Sequence, residues 1–144
     1  MIDKVEKMKD ILTFAIGREV EAHELYIYMA AHVANPEIRA VCEDLAEEEL
    51  EHKAKLEQEL IEIGESTADI NISDYVSVTG NPMDMDYEDL LVFAIKKEER
   101  SIKLYSDLAK IVKDKDSKQV LLFLANEETD HKQRFEIEYR NLHT

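Results

Sequence analysis

LAEEELEHKAKLE at residues 45–57 and LANEETDHKQRFE at residues 124–136 share Leu, Ala, two Glu, His, Lys and a final Glu in register, 79 residues apart. Working outward, FAIGREVEAHELYIYMA at 14–30 aligns without gaps on FAIKKEERSIKLYSDLA at 93–109, at the same offset. An internal repeat at one fixed offset means that a single supersecondary unit occurs twice. Two such units should pack about a pseudo-twofold axis, where matched residues meet: Glu19 with Glu98, Glu49 with Glu128, His52 with His131, and Tyr26 with Tyr105.

The unit is helical. Apolar residues recur at helical spacing through four segments, roughly 3–33, 36–64, 86–113 and 116–142. Asn35 with Pro36 behind it reads as an N-cap and first helical position, Gly64 as a C-terminal stop, Asp86 as a third N-cap, and Asp114 or Asp116 as the fourth. With only three Gly and two Pro in 144 residues, long helices win over sheet. Short turns at Asn35 and near Asp114 make helices 1 and 2, and helices 3 and 4, antiparallel neighbours. The irregular stretch 65–85 is long enough to run the height of a bundle, so helix 3 should lie parallel to helix 2. The expectation is one all-α domain over 1–144, with repeat halves 1–64 and 86–144 joined by a single crossover.

Within each half, one Glu lies on the first helix and a Glu-x-x-His on the second. Residues three apart share a helix face, so Glu49 and His52 address one point, as do Glu128 and His131. That face is the core face: Ile38, Val41, Cys42, Leu45, Leu56, Leu60 and Ile63 surround Glu49 at helical spacing, and Leu12, Ala15, Ala22, Tyr26, Met29 and Val33 surround Glu19. Height follows from counting. Glu19 and Glu49 each stand 15 residues from Ala34, and Glu98 and Glu128 each stand 15 from Lys113. Four carboxylates and two imidazoles therefore converge on one layer. A lone Glu-x-x-His in a Glu-rich helix is weak grounds for a site; two copies, each level with a Glu on an apolar stripe, are specific.

Burying an unpaired carboxylate costs several kcal/mol, roughly, so such a layer calls for cations. Four carboxylates and two imidazoles suit two divalent ions of the iron or manganese type; zinc also fits, magnesium and calcium less well. The rest of the acidity reads as solvated helix surface. The net charge of -15, without a Lys/Arg-rich block, speaks against nucleic acid. Cys42 is the sole cysteine, which excludes an intrachain disulfide and any cysteine-ligated iron-sulfur, rubredoxin-type or zinc-ribbon module, and it reads as a packed thiol in a reducing compartment. No apolar run is long enough for a bilayer, and the N-terminal MIDKVEKMKD has no signal core, so the expected location is the cytoplasm, with no membrane partner. His23, one turn after Glu19, is a candidate further ligand or neighbour of the site. Glu48, Glu51, Glu127 and Asp130 flank the motif and face sideways, as solvated groups or neighbours of the ligands. On this reading Glu49→Ala strips the layer of both metals and Glu48→Ala does not.

At these residues the chain resembles the rubrerythrin branch of the ferritin-like superfamily, in its short form without a rubredoxin domain, and the resemblance spans all four helices. It implies that Glu49 and Glu128 bridge two metals, that Glu19 and Glu98 bind terminally, and that His52 and His131 cap one metal each. Tyr26 and Tyr105, seven residues after the terminal glutamates, are implied to hydrogen-bond to carboxylate ligands. The implied activity is that of a di-iron oxidoreductase in oxidative stress, reducing hydrogen peroxide or dioxygen with electrons from an external donor protein, in a homodimer. Ferritin-like iron storage and a metal-stabilised bundle without turnover are the alternatives, and four helices without a fifth weigh against a storage shell. One departure stands out: rubrerythrins that reduce peroxide carry an extra Glu three residues after the third-helix ligand, and here that position is Ser101.

Overall fold

Each of the last three long helices starts where a side chain satisfies its first free amides. The structure, a computed structural model, describes residues 6–76 and 80–144. Helix α1 spans Met8–His32, α2 Pro36–Glu62, α3 Tyr87–Ile111 and α4 Lys115–Asn141. The Asn35 side chain accepts from the Glu37 amide, with Pro36 just inside the helix where its missing N–H costs nothing. Asp86 and Asp89 form a reciprocal capping box, and Asp114, the first of the two expected candidates, accepts from the Ser117 amide. Gly64, at φ 64°, turns the chain out of α2 in the left-handed conformation that favours glycine.

Side-chain pairs fix the helix directions. Tyr26 of α1 reaches Glu98 of α3 while Tyr105 of α3 reaches Glu19 of α1, so these helices are antiparallel. His52 pairs with Glu128 and His131 with Glu49, so α2 and α4 are antiparallel too. His23 of α1 lies against Ala46 of α2, level with Glu19 and Glu49, which makes the first hairpin antiparallel and α3 parallel to α2, as one crossover requires.

Two apolar clusters fill the bundle, one at each end. The first gathers Ile11, Leu12, Ala15, Leu56, Leu104, Tyr105, Leu108, Leu121 and Leu124; the second gathers Ala22, Leu25, Tyr26, Met29, Leu45, Leu91, Ala94 and Phe135. On every helix the ligand candidates fall between the two, for instance between Ala15 and Ala22 on α1. Away from this layer, Ser117 Oγ donates to buried Glu59 Oε2 at 2.7 Å and ties α4 to α2.

The crossover is more structured than an irregular stretch. Strand β1 (Glu6–Lys7) pairs antiparallel with β2 (Thr67–Ala68), and two 3-10 turns follow at Ile72–Tyr75 and Pro82–Asp84. Ala68, Ile70 and Tyr75 join the first apolar cluster, and the Tyr75 hydroxyl donates to Asp107 of α3 at 2.7 Å. The strand pair corrects the expected start of helix 1. Glu6 and Lys7 are extended and the helix begins at Met8, while residue 3 lies outside the described residues. Helix 3 ends at Ile111, two residues short of the expected 113, because Val112 turns to extended backbone. Among the described residues no helix is long and apolar enough to cross a membrane.

Asp86 caps the helix that carries Glu98. In urea unfolding of the metal-free protein, Asp86→Ala should lose about 1 kcal/mol of stability, whereas Asp84→Ala, in the exposed turn before it, should stay within about 0.5 kcal/mol of the parent.

Candidate metal centre

Helical spacing places Glu19, Glu49, Glu98 and Glu128 on the inward faces of four different helices, each carboxylate 1% exposed; His52 and His131, one turn beyond Glu49 on α2 and Glu128 on α4, are 1% and 2% exposed. These six side chains form two overlapping groups, Glu19, Glu49, His52 and Glu128, and Glu49, Glu98, Glu128 and His131. Within each group the donor atoms lie within 4.8 Å of one another. Glu49 and Glu128 belong to both groups, the position a bridging carboxylate needs, while Glu19 with His52 and Glu98 with His131 are exclusive to one.

Both imidazoles turn Nδ1 inward. His52 Nδ1 lies 2.7 Å from Glu128 Oε1, 3.6 Å from Glu19 Oε2 and 3.7 Å from Glu49 Oε1. His131 Nδ1 lies 2.8 Å from Glu49 Oε1, 3.8 Å from Glu98 Oε2 and 3.9 Å from Glu128 Oε2. The rings stack with centroids 5.6 Å apart and planes 12° apart, as a local twofold would place them. The Tyr26 hydroxyl donates to Glu98 Oε1 and the Tyr105 hydroxyl to Glu19 Oε1, so each phenol orients the exclusive carboxylate of the other half.

The donor set fits metal ions on its own geometry. Buried polar atoms are normally hydrogen-bonded, yet Glu19 Oε2, Glu49 Oε1, Glu98 Oε2 and His131 Nδ1 face the layer without a partner; the short approach of His131 to Glu49 is out of line for a hydrogen bond. Four carboxylates carry four negative charges, which two dications would neutralise. Without cations the field is severe. Burial and then the Glu128, Glu19 and Glu98 charges push the Glu49 carboxyl well above the usual 4.5. Burial and Glu128 do the same to Glu98, and burial with the Glu19 charge lifts Glu128 to about 8. Glu19 goes the other way: burial pushes it up, but the neighbouring Glu49, His52 and Tyr105 outweigh burial and lower it. For His52, burial favours the neutral ring, but Glu19 and Glu127 outweigh it and raise the value. Burial and neighbouring glutamates keep both phenols protonated, as hydrogen-bond donors.

All eight residues expected at the site, the six donors together with Tyr26 and Tyr105, meet in this layer. His23 does not join it: its Nδ1 sits 3.0 Å from the Ala46 carbonyl oxygen, spent on the neighbouring helix, and it belongs to neither donor group. Cys42 is buried in the second apolar cluster, and burial with the Glu138 and Glu43 charges pushes its thiol up to about 11, which suits a packed thiol. Glu51 and Asp130 are exposed, but Glu48 and Glu127 are not simply sideways. Glu48 Oε2 lies 2.9 Å from His131 Nε2, and Glu127 Oε1 lies 3.6 Å from His52 Nε2. The sequence carried a signal for them, since Glu48 and Glu127 match at the 79-residue offset along with the donors.

The chain is similar in fold to several solved structures. A hypothetical protein from Pyrococcus furiosus superposes with a TM-score of 0.79 at 25% identity, over 92% of this chain and 87% of that one. A manganese catalase from Anabaena gives 0.71 at 20% identity, over 100% and 78%. A dodecameric thioferritin, the bacterioferritin-related protein of Bacteroides fragilis, gives 0.73 at 22% identity, over 93% and 84%. The last two likenesses establish a ferritin-like bundle and nothing finer. No curated protein matches the sequence. The rubrerythrin family profile matches residues 10–82 and 89–144, both hairpins and most of the crossover, and the chain belongs to the rubrerythrin family.

Proposed function

We propose that this layer binds two divalent ions, iron in the first place and manganese or redox-inert zinc as alternatives, and that with a redox-active pair bound the protein is an oxidoreductase reducing hydrogen peroxide or dioxygen there. The observation that carries the reading is the pair of overlapping donor groups sharing Glu49 and Glu128. Those two would bridge the ions, Glu19 and His52 would complete one coordination sphere, and Glu98 and His131 the other. A bound di-ferrous pair supplies the two electrons that convert one peroxide, with two protons, into two waters. The chain's own part is to hold six donors at one height, to keep the terminal carboxylates oriented through Tyr26 and Tyr105, and to shield the layer with an apolar cluster above and below. Electrons must come from outside: the one cysteine is buried, its thiol is not ionised, and the chain has no Trp. A separate donor protein fits that need.

Titration of the metal-free protein with ferrous or cobalt ion tests the ligand set. Glu49→Ala and Glu128→Ala should each abolish tight binding of both ions, because each group loses a shared donor; Glu51→Ala, on the exposed face, should bind as the parent does. Unchanged stoichiometry in Glu49→Ala rules the assignment out.

Stability supplies a second test. Because Glu128 titrates at about 8 in the folded state against an ordinary 4.5, the folded metal-free protein holds its proton more tightly than the unfolded chain. The stability gained from that proton is fully present below the ordinary value and is lost as pH rises through the folded one. Metal-free protein should therefore melt lower at about pH 8 than at about pH 5. Metal should raise the melting temperature most at the higher pH, by about 10 °C or more with saturating ion. Equal melting temperatures with and without metal at the higher pH would mean that the layer binds none.

Stopped-flow mixing addresses turnover. The anaerobic di-ferrous protein should be oxidised by peroxide in a single turnover and should cycle only with an added reductant. Since Ser101 stands where the extra glutamate is expected, dioxygen should compete better with peroxide than in a rubrerythrin carrying that residue. Oxidation by neither oxidant, or repeated cycles without a donor, would contradict the proposal.

A further inference from the structure

We propose that Glu48 and Glu127 are positioning residues for the two histidines, each reaching from its own half of the repeat to grip the imidazole of the other. The inference rests on the reading that the layer binds two ions. Successive residues on a helix point about 100° apart, so with Glu49 aimed into the layer, Glu48 is turned toward the seam between α2 and α4, where antiparallel packing brings His131 opposite. Glu48 Oε2 accepts from His131 Nε2 at 2.9 Å. The seam opens as a cavity of about 380 Å³ whose lining includes Leu45, Glu48, Glu127, Asp130, His131 and Arg134, so Glu48 stands between solvent and an imidazole that is 2% exposed. A carboxylate on Nε2 fixes the ring proton there, which leaves the Nδ1 lone pair facing the layer and makes it the better donor.

The counterpart is less tight. His52 Nε2 is buried without a hydrogen-bond partner, and Glu127 Oε1 stops 3.6 Å from it, a small side-chain rotation short of the bond that Glu48 makes. The two histidines are therefore supported unequally, and the His131 side depends more on its carboxylate. Glu48→Ala should then weaken binding of one ion, which goes beyond the expectation that it does not strip the layer of both.

The test compares the parent, Glu48→Ala, Glu48→Gln, Glu127→Ala and Glu51→Ala, each made metal-free and titrated with cobalt ion against a competing chelator. Proton NMR of the cobalt-loaded forms follows the shifted exchangeable imidazole N–H signals. The parent should bind two ions and show two such signals. Glu48→Ala should bind one ion with affinity roughly ten- to a hundredfold lower, retain the other, and lose one N–H signal to solvent exchange. Glu48→Gln, whose amide oxygen still accepts, should restore the signal and most of the affinity. Glu127→Ala should weaken the other ion by a smaller factor, and Glu51→Ala should change nothing. Wild-type affinity and both signals in Glu48→Ala would overturn the proposal, as would a Glu48→Gln no better than Glu48→Ala. A parent binding fewer than two ions would instead sink the two-ion reading on which it stands.

Discussion

Four carboxylates at one height inside an apolar bundle form the constraint on which the rest of the structure depends. A buried Leu contributes about 2 kcal/mol to folding, whereas an unpaired buried carboxylate costs several, roughly, so more than one Leu is needed to offset each such Glu. The fold meets this cost by dividing its core. The two apolar clusters lie on either side of the layer, so its donors are shielded without being scattered among Leu and Phe side chains. Both phenols and Glu48 then satisfy carboxylate lone pairs and the His131 Nε2 that metal ions would leave over, while His52 Nε2 has no such partner.

Much of this was legible in the sequence because it is set by local counting. Whether Glu19 and Glu49 are level depends on the turn near Ala34 and a rise of about 1.5 Å per residue, and both are fixed within one hairpin. The repeat then transfers the result to Glu98 and Glu128. The caps at Asn35, Asp86 and Asp114 act over two or three residues and were visible for the same reason.

What the sequence hid depends on distance along the chain or on rotation about a helix axis. The pairing of Glu6–Lys7 with Thr67–Ala68 involves two residues a side, too few for any alternation to register, and it moved the start of α1. That His23 would spend its nitrogen on the Ala46 carbonyl follows from how closely α1 and α2 approach, which spacing does not encode. Whether Glu48 and Glu127 are solvated groups or neighbours of the ligands stayed open because a helical wheel for one helix shows no neighbour; only the α2–α4 seam supplies the opposing imidazoles.

Duplication also explains why neither hairpin is complete alone. Tyr26 serves Glu98 and Tyr105 serves Glu19, Glu48 serves His131, and each donor group draws a shared carboxylate from the other half. The halves interlock through the site, so the layer is complete only where the two hairpins are docked. Equivalent donor lists do not make equivalent environments, however. Outside the shared positions the repeats diverge, with His23 matched to Ile102 and Gly17 to Lys96. An asymmetry is present at the layer too: His131 has a close carboxylate behind it while His52 does not. Two ions in such a layer would have like donor sets but unequally supported histidines.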